Sequence, residues 1–205
     1  MVSIPSFDRS VKSLCAESVG NAVERASWDD LLGEVVHRYV GGYDVACARN
    51  EMARGALAAK ADYLWMVDSD MVVPDEALAR LLSDGVPVAT GWYVRGAGDG
   101  DMTCAAKRGS TGFIASWRAS ELVEKRTRGV ELLEVKGNGL GCALVRTDVF
   151  ERIARPWFRF TDHGDGTVLG EDYWFCQRCA DAGIPVYVDL RVACGHIHDR
   201  VLEAR

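Results

Sequence analysis

The chain reads as an α/β protein: one domain over residues 1–205, with a mixed, mostly parallel central sheet flanked by helices. Three observations lead there. Strand-like apolar runs alternate with helix-period segments through the first 95 residues, the signature of strands joined by crossover helices. The run "LWMV" at 64–67 is apolar without alternation, as in a strand covered on both faces. No repeat, low-complexity tract or linker divides the 205 residues, a length that buries a substantial core.

Each element has its own signal. "VSIPS" is a short first strand stopped by Pro5. "SVKSLCAESVGNAVERA" has helical spacing, with Val11, Leu14, Cys15 and Val19 on one side. "GEVVHRYV" is a second strand bounded by glycines, and "NEMARGALAAKA" a helix for Asn50 to cap. "DYLWMV" is the third strand. "PDEALARLLSDG" follows as a helix, with Pro74 near its start and Gly85 past its end. "VPVATGWYV" is the fourth strand. Beyond Gly96 the pattern changes: "GAGDGD" is a loop, and "MTCAAKR", "GFIASW", "VELLEVKG" and "GCALVR" are strand-like. "TDVFERIA" is a helix opened by Thr147 or Asp148, "HGDGT" a loop, and "EDYWFCQRCADAG" a helix closed at Gly183. "IPVYVDL" is the last clear strand.

Composition narrows the function classes. A content of 48% hydrophobic and 26% charged residues suits a globular protein, and a formal net charge of −6 argues against indiscriminate binding to nucleic acid or anionic membrane. No apolar run approaches the roughly 20 residues that cross a bilayer, and "MVSIPSFDRS" has no signal-peptide pattern, so the expected compartment is the cytoplasm. Seven cysteines in no framework spacing suit a reducing compartment, and Cys176 with Cys179 reads as two neighbouring helix positions rather than a zinc or redox pair.

The chemistry concentrates in "YLWMVDSDMVVPDE", residues 63–76. Isolated charges are costly to bury, so Asp68 and Asp70 face water or a cation. They fall at a strand's carboxyl end, where open α/β sheets bind ligands, and residues i and i+2 of an extended chain project to one side. Two such carboxylates suit a hard divalent cation that also takes substrate phosphates; they equally suit a turn whose acids cap backbone amides. "DSDMV" also satisfies the motif of haloacid-dehalogenase-like phosphatases, with Asp68 as nucleophile. Here, however, the pair follows two earlier strand and helix units, and no lysine is suitably placed.

In the order "IPS", "ARN", "DYLWMVDSDM", "VATGWYVR", "GNGLGCALVRTDVF", "PWF" and "GEDYWFCQRCADAGIPVYVDLRVACGHI", the chain from about residue 2 to residue 197 resembles the GT-A glycosyltransferases, as a small, non-processive, family-2-like member. The resemblance implies a Rossmann-like fold, with residues 1–95 as the nucleotide-binding half and 96–205 as the acceptor side. It implies transfer of one sugar from a nucleotide diphosphate, with UDP the expected nucleotide. Asp70 would bind the metal, Asp68 the metal or the ribose, and His196, or failing it His198, would be a further ligand, making Mn2+ a natural occupant and Mg2+ an alternative. Asp172 would be the general base of an inverting reaction and Glu171 would orient acceptor or sugar. Pro5, Ser6 and Phe7 would border the base, and Arg49 and Asn50 would open a helix near the nucleotide. "GNGLG", with Gly139 at its centre, would let backbone approach the sugar. Trp92, Tyr93 and Trp174 would line the sugar pocket or join the core.

Two departures stand out: the D-D-x-S segment is absent after the second strand, which leaves the nucleotide contacts open, and the Q-x-x-R-W motif of processive polymerases is absent, as is a membrane-length run, so transfer of a single sugar is expected. The acceptor is open between protein, glycan and modified nucleic acid. Lys107, Arg108, Arg118, Lys125, Arg126 and Arg128 form either a solvated face or a contact for an anionic acceptor. A sugar-nucleotide-binding module without catalysis is the remaining alternative.

Overall fold

In a computed structural model, residues 1–96, 101–108, 114–162, 164 and 166–198 are described. Parts of the two expected loops, at 97–100 and at His163 and Asp165, lie outside them. So do residues 109–113, the last two of which open the expected "GFIASW" strand.

Seven strands form one mixed sheet. In chain order they are β1 (Val2–Ser6), β2 (His37–Gly41), β3 (Tyr63–Val67), β5 (Val88–Trp92), β8 (Leu132–Val135), β9 (Cys142–Arg146) and β12 (Val186–Ala193), arranged β2-β1-β3-β9-β5-β12-β8. β2, β1, β3, β5 and β12 point one way, while β9 and β8 run against them. Strands from both halves of the chain interleave, so neither half completes the sheet alone. The central strands are buried on both faces: Leu64, Met66, Val88, Ala143, Val145 and Val188 face one apolar layer, and Trp65, Val67, Ala89, Leu144 and Val192 the other. That two-sided burial is what an unbroken apolar run encodes.

Four further strands pair outside the sheet: β4 (Met71–Val72) with β13 (Gly195–His196), β6 (Met102–Arg108) with β7 (Ile114–Arg118). Two more, β10 (Thr161–Asp162) and β11 (Val168–Leu169), make a small hairpin. The helices are α1 (Ser13–Trp28), α2 (Val45–Ala58), α3 (Ala77–Ser83), α4 (Ala119–Thr127), α5 (Asp148–Arg152) and α6 (Glu171–Asp181).

Several expectations need correction. Pro5 does not stop β1: it pairs in register with Val40, and the ladder to β3 covers only Val2 and Ser3, so no N–H is asked of it there. Leu14 is exposed, and the buried face of α1 is Cys15, Ser18, Val19, Ala22 and Ala26. Strand β2 begins four residues after Gly33. Helix α2 begins five residues before Asn50, because Asp44 accepts the Cys47 N–H at 2.9 Å and caps it. Helix α5 does open at Asp148 after Thr147, as expected, with the Thr147 hydroxyl donating to Ala61 O at 2.5 Å instead of to the helix. Helix α4 stands between two expected strands, in a stretch to which the sequence reading gives no element. Cys176 and Cys179 are buried on α6 as free thiols, as two neighbouring helix positions should be.

Candidate functional site

All five parallel strands end on one edge of the sheet, and the ionisable residues singled out in the sequence gather beyond it. Ser6 closes β1, Asp68 follows β3, Tyr93 follows β5, and His196 follows β12 by way of β13. Helices α2 and α6 bring their N-terminal turns to the same edge, carrying Arg49 and the pair Glu171 and Asp172.

Arg49 is the hub. Its side chain is 3% exposed, and its Nη2 donates to both Asp68 oxygens, at 2.8 and 2.9 Å. Its Nη1 donates to Glu171 Oε1. Burial disfavours the guanidinium charge, but Asp68 and Glu171 outweigh it and raise its pKa above the ordinary arginine value. Arg49 Nε has no partner. Arg49 therefore faces two carboxylates of the chain itself. Asp68, with both oxygens on a guanidinium, is no free nucleophile.

The D-x-D turn is held by its backbone. Asp68 N–H donates to Gly141 O at 3.0 Å, Met71 N–H to Asp68 O at 3.0 Å, and the Cys15 thiol to the same carbonyl at 3.3 Å. Asp70 projects further outward, at 41% side-chain exposure. The ladder of β4 and β13 sets His196 opposite Met71, and Ile197 N–H donates to Asp70 O at 2.8 Å. The His196 ring is thereby held with Nε2 3.4 Å from Asp70 Oδ2 and Nδ1 3.4 Å from Val94 O. His198 lies behind it, ring centroids 4.2 Å apart. Among the described residues no group of three or more His, Cys, Asp or Glu is placed to hold a metal, although Asp70 and His196 lie side by side.

Asp172 is free of ion pairs among the described residues; its Oδ1 accepts only the N–H of Tyr173, at 2.7 Å. Burial raises its pKa above the ordinary aspartate value, and the Arg49 charge partly opposes the rise. Glu171 is raised by burial and opposed by Arg49 in the same way. Two neighbouring carboxyls thus sit in different states of engagement. Glu171 is tied to a cation, and Asp172 is available to a proton.

Pro5, Ser6, Phe7, Tyr43, Asp68 and Asp70 line a cavity of about 180 Å3. Phe7 is 80% exposed and Tyr43 50%, so both present ring faces at its mouth. Asn50 is not in that pocket. Its Nδ2 donates to Phe158 O at 2.8 Å and its Oδ1 accepts the Trp157 N–H at 3.1 Å, which pins the segment before α6. Gly139 does not open a path to a ligand either. A Cβ on it would meet the Tyr93 hydroxyl and lie 2.9 Å from Cys104 Cβ, and one on Gly137 would lie 2.8 Å from the Tyr173 ring. The glycine cluster is a bed for two tyrosines, and the Tyr173 hydroxyl donates to Cys104 O at 3.0 Å. Trp92 belongs to the core, its Nε1 donating to Leu190 O at 3.2 Å, while Trp174 remains partly exposed.

The basic run on β6, β7 and α4 is largely matched by its neighbours. Lys107 pairs with Glu121 at 2.5 Å, Arg118 with Asp101 at 2.8 Å and Arg128 with Glu124 at 2.5 Å. Lys125 stands 4.9 Å over Trp117.

No described helix is long and apolar enough to cross a membrane. No family profile matches the chain, and no curated protein matches it. Solved structures do. The chain is similar to A197 from STIV, with a TM-score of 0.63 and 19% identity over 97% of this chain and 85% of that one. It is also similar to GalNAc-T7, solved with UDP, GalNAc and Mn2+, with a TM-score of 0.60 and 12% identity over 96% of this chain. The match spans 43% of the GalNAc-T7 chain. At these identities the likeness is one of fold, a GT-A-like arrangement around a mostly parallel sheet.

Proposed function

We propose that the protein is a metal-dependent glycosyltransferase that moves one sugar from a UDP-sugar to an acceptor hydroxyl with inversion at the anomeric carbon. The observation that carries this reading is the set of Asp70 and His196 beside Arg49, Asp68, Glu171 and Asp172 at the edge where the parallel strands end, in a chain whose fold is similar to that of GalNAc-T7. In this reading residues 1–95 hold the nucleotide and 96–205 the acceptor.

Asp70 and His196 would hold the metal, Mn2+ or Mg2+, and their mixed oxygen and nitrogen donors favour Mn2+. Such an ion, when bound, neutralises the charge that develops on the departing diphosphate. Pro5 and Ser6 border the base, with the exposed rings of Phe7 and Tyr43 at the mouth of their pocket. Arg49 keeps Asp68 and Glu171 in place, Asp68 towards the donor and Glu171 towards the acceptor. Gly139 contributes through Tyr93, which its missing side chain admits. Asp172 accepts the proton of the attacking hydroxyl, and its raised pKa brings its basicity towards the working pH.

A panel of nucleotide sugars with Mn2+ tests the reading, and UDP release from at least one is expected. UDP binding without release from any sugar would leave a binding module instead. Phosphate release from phosphomonoesters, with a phosphoaspartyl group on Asp68, would replace the reading with the phosphatase.

A further inference from the structure

We infer that Asn138 is a positioning residue for transfer: its buried amide fixes the turn 137–141, on which Asp68 and the start of α6 both rest. The inference rests on the glycosyl-transfer reading above. The Asn138 side chain is fully buried. Its Nδ2 donates to Thr90 Oγ1 at 2.7 Å and to Gly91 O at 2.8 Å, both on β5. The Thr90 hydroxyl donates in turn to Tyr187 O at 2.8 Å. Because that hydroxyl spends its proton on β12 and Gly91 offers a carbonyl, only an NH2 group fits between them, which assigns the orientation of the amide. The register of β5 with β12 shifts between Val188 and Ala193, and Gly91 lies opposite that interval. Asn138 holds β5 where the ladder skips.

The turn so anchored reaches both sides of the site. Gly141 O accepts the Asp68 N–H at 3.0 Å, and Asn138 O accepts the thiol of Cys176 at 3.7 Å, on α6 and one turn after Asp172. Gly137 O and Gly139 N–H are tied to β6, at 2.8 Å from Ala106 N and 3.2 Å from Cys104 O. Gly137 leaves the space that the Tyr173 ring fills, next to Asp172, and Gly139 and Gly141 leave that of Tyr93. The Tyr93 ring in turn meets His196 edge-on, centroids 5.2 Å apart. One amide therefore stands behind groups from β3, β5 and α6. Its Oδ1 is buried without a partner among the described residues. An unsatisfied buried acceptor lowers stability, and local rules are broken in this way where a site needs the geometry.

Asn138→Leu and Thr90→Val in the whole chain test this, with Thr90→Ser as the conservative control. Carbon-13 labelling of the six tyrosines reads the turn without recourse to activity. The Tyr93 and Tyr173 signals should move in Asn138→Leu while those of the other tyrosines stay. With Mn2+ and the nucleotide sugar that the parent cleaves fastest, kcat for UDP release should fall about tenfold or more, with KM little changed. Thr90→Val should lose part of the rate and Thr90→Ser should keep it. Should Asn138→Leu fail to fold, Thr90→Val carries the same two measurements. Unmoved tyrosine signals, an unchanged kcat in a folded variant, or a raised KM at unchanged kcat would overturn the inference and leave Asn138 as a core amide. A parent that releases no UDP from any nucleotide sugar marks failure of the glycosyl-transfer reading instead, and the tyrosine spectra then still decide whether Asn138 seats the turn.

Discussion

Arg49 holds both carboxylate oxygens of Asp68 with a single guanidinium nitrogen, at 2.8 and 2.9 Å. Because Glu171 takes the other terminal nitrogen, three charged groups from α2, α6 and the turn after β3 form one cluster, with Arg49 and Glu171 buried and Asp68 partly so. Removing one member of such a cluster leaves charges without compensation, at a cost of about 3–5 kcal/mol. Arg49→Met should therefore lose about that much stability in urea unfolding, and Arg49→Lys less. A variant as stable as the parent would show that water already serves both carboxylates.

With Asp68 so engaged, metal binding should depend chiefly on Asp70. Asp70→Asn is expected to abolish Mn2+-supported UDP binding in calorimetry while leaving the fold intact. His196→Ala should weaken it without abolishing it, and His198→Ala should change it little. Loss on His198→Ala alone would exchange the roles of the two rings.

Asp172→Asn should bind UDP and Mn2+ nearly normally yet lose transfer by about 100-fold or more. Because burial raises the Asp172 pKa, the acid limb of kcat/KM should lie above that of an ordinary aspartate, with activity lost as pH falls through the raised value. The product of an α-linked donor should be β-linked. An α-linked product would turn attention from Asp172 to Glu171.

Asp84 offers a stability test away from the site. Burial, joined by the nearby Asp189 charge and opposed by Arg191, pushes its pKa up to about 6. A carboxyl raised on folding penalises the folded state above that value, and the penalty fades as pH falls through 6 towards the unfolded value of about 4. Asp84→Asn should raise the urea midpoint at pH 8 and leave it nearly unchanged at pH 4. A gain of the same size at both pH values would contradict this.

What the sequence disclosed followed the strength of each local signal. Strands β1, β3, β5, β9 and β12 and helix α6 could be read because apolar runs and a closing Gly183 are short-range features. Helix α4 could not, since Leu122 is its one fully buried side chain amid charged neighbours. Strands β4 and β13 are two residues each and have no periodicity to detect. The expected start of α2 at Asn50 misses Asp44, the actual cap, because the buried face that follows it is built mainly of small alanines and Arg49 rather than of large apolar residues. The titratable residues marked in the sequence do converge on one sheet edge. That Arg49 spends its charge on Asp68 and Glu171, rather than facing outward, is a relation across 19 and 122 residues that no spacing rule contains.

The ladder of β4 and β13 also has a bearing on the order in which the site comes into being. Asp70 meets the His196 imidazole only because residues 71–72 pair with residues 195–196. A chain emerging from the ribosome presents its N-terminal part first, so the acidic turn is exposed well before its imidazole partner is synthesised. The β12 strand that completes the sheet beside β5 arrives just ahead of that histidine. A nascent chain would thus gain its last sheet strand and the imidazole that faces Asp70 almost together, and a partly made protein would have neither.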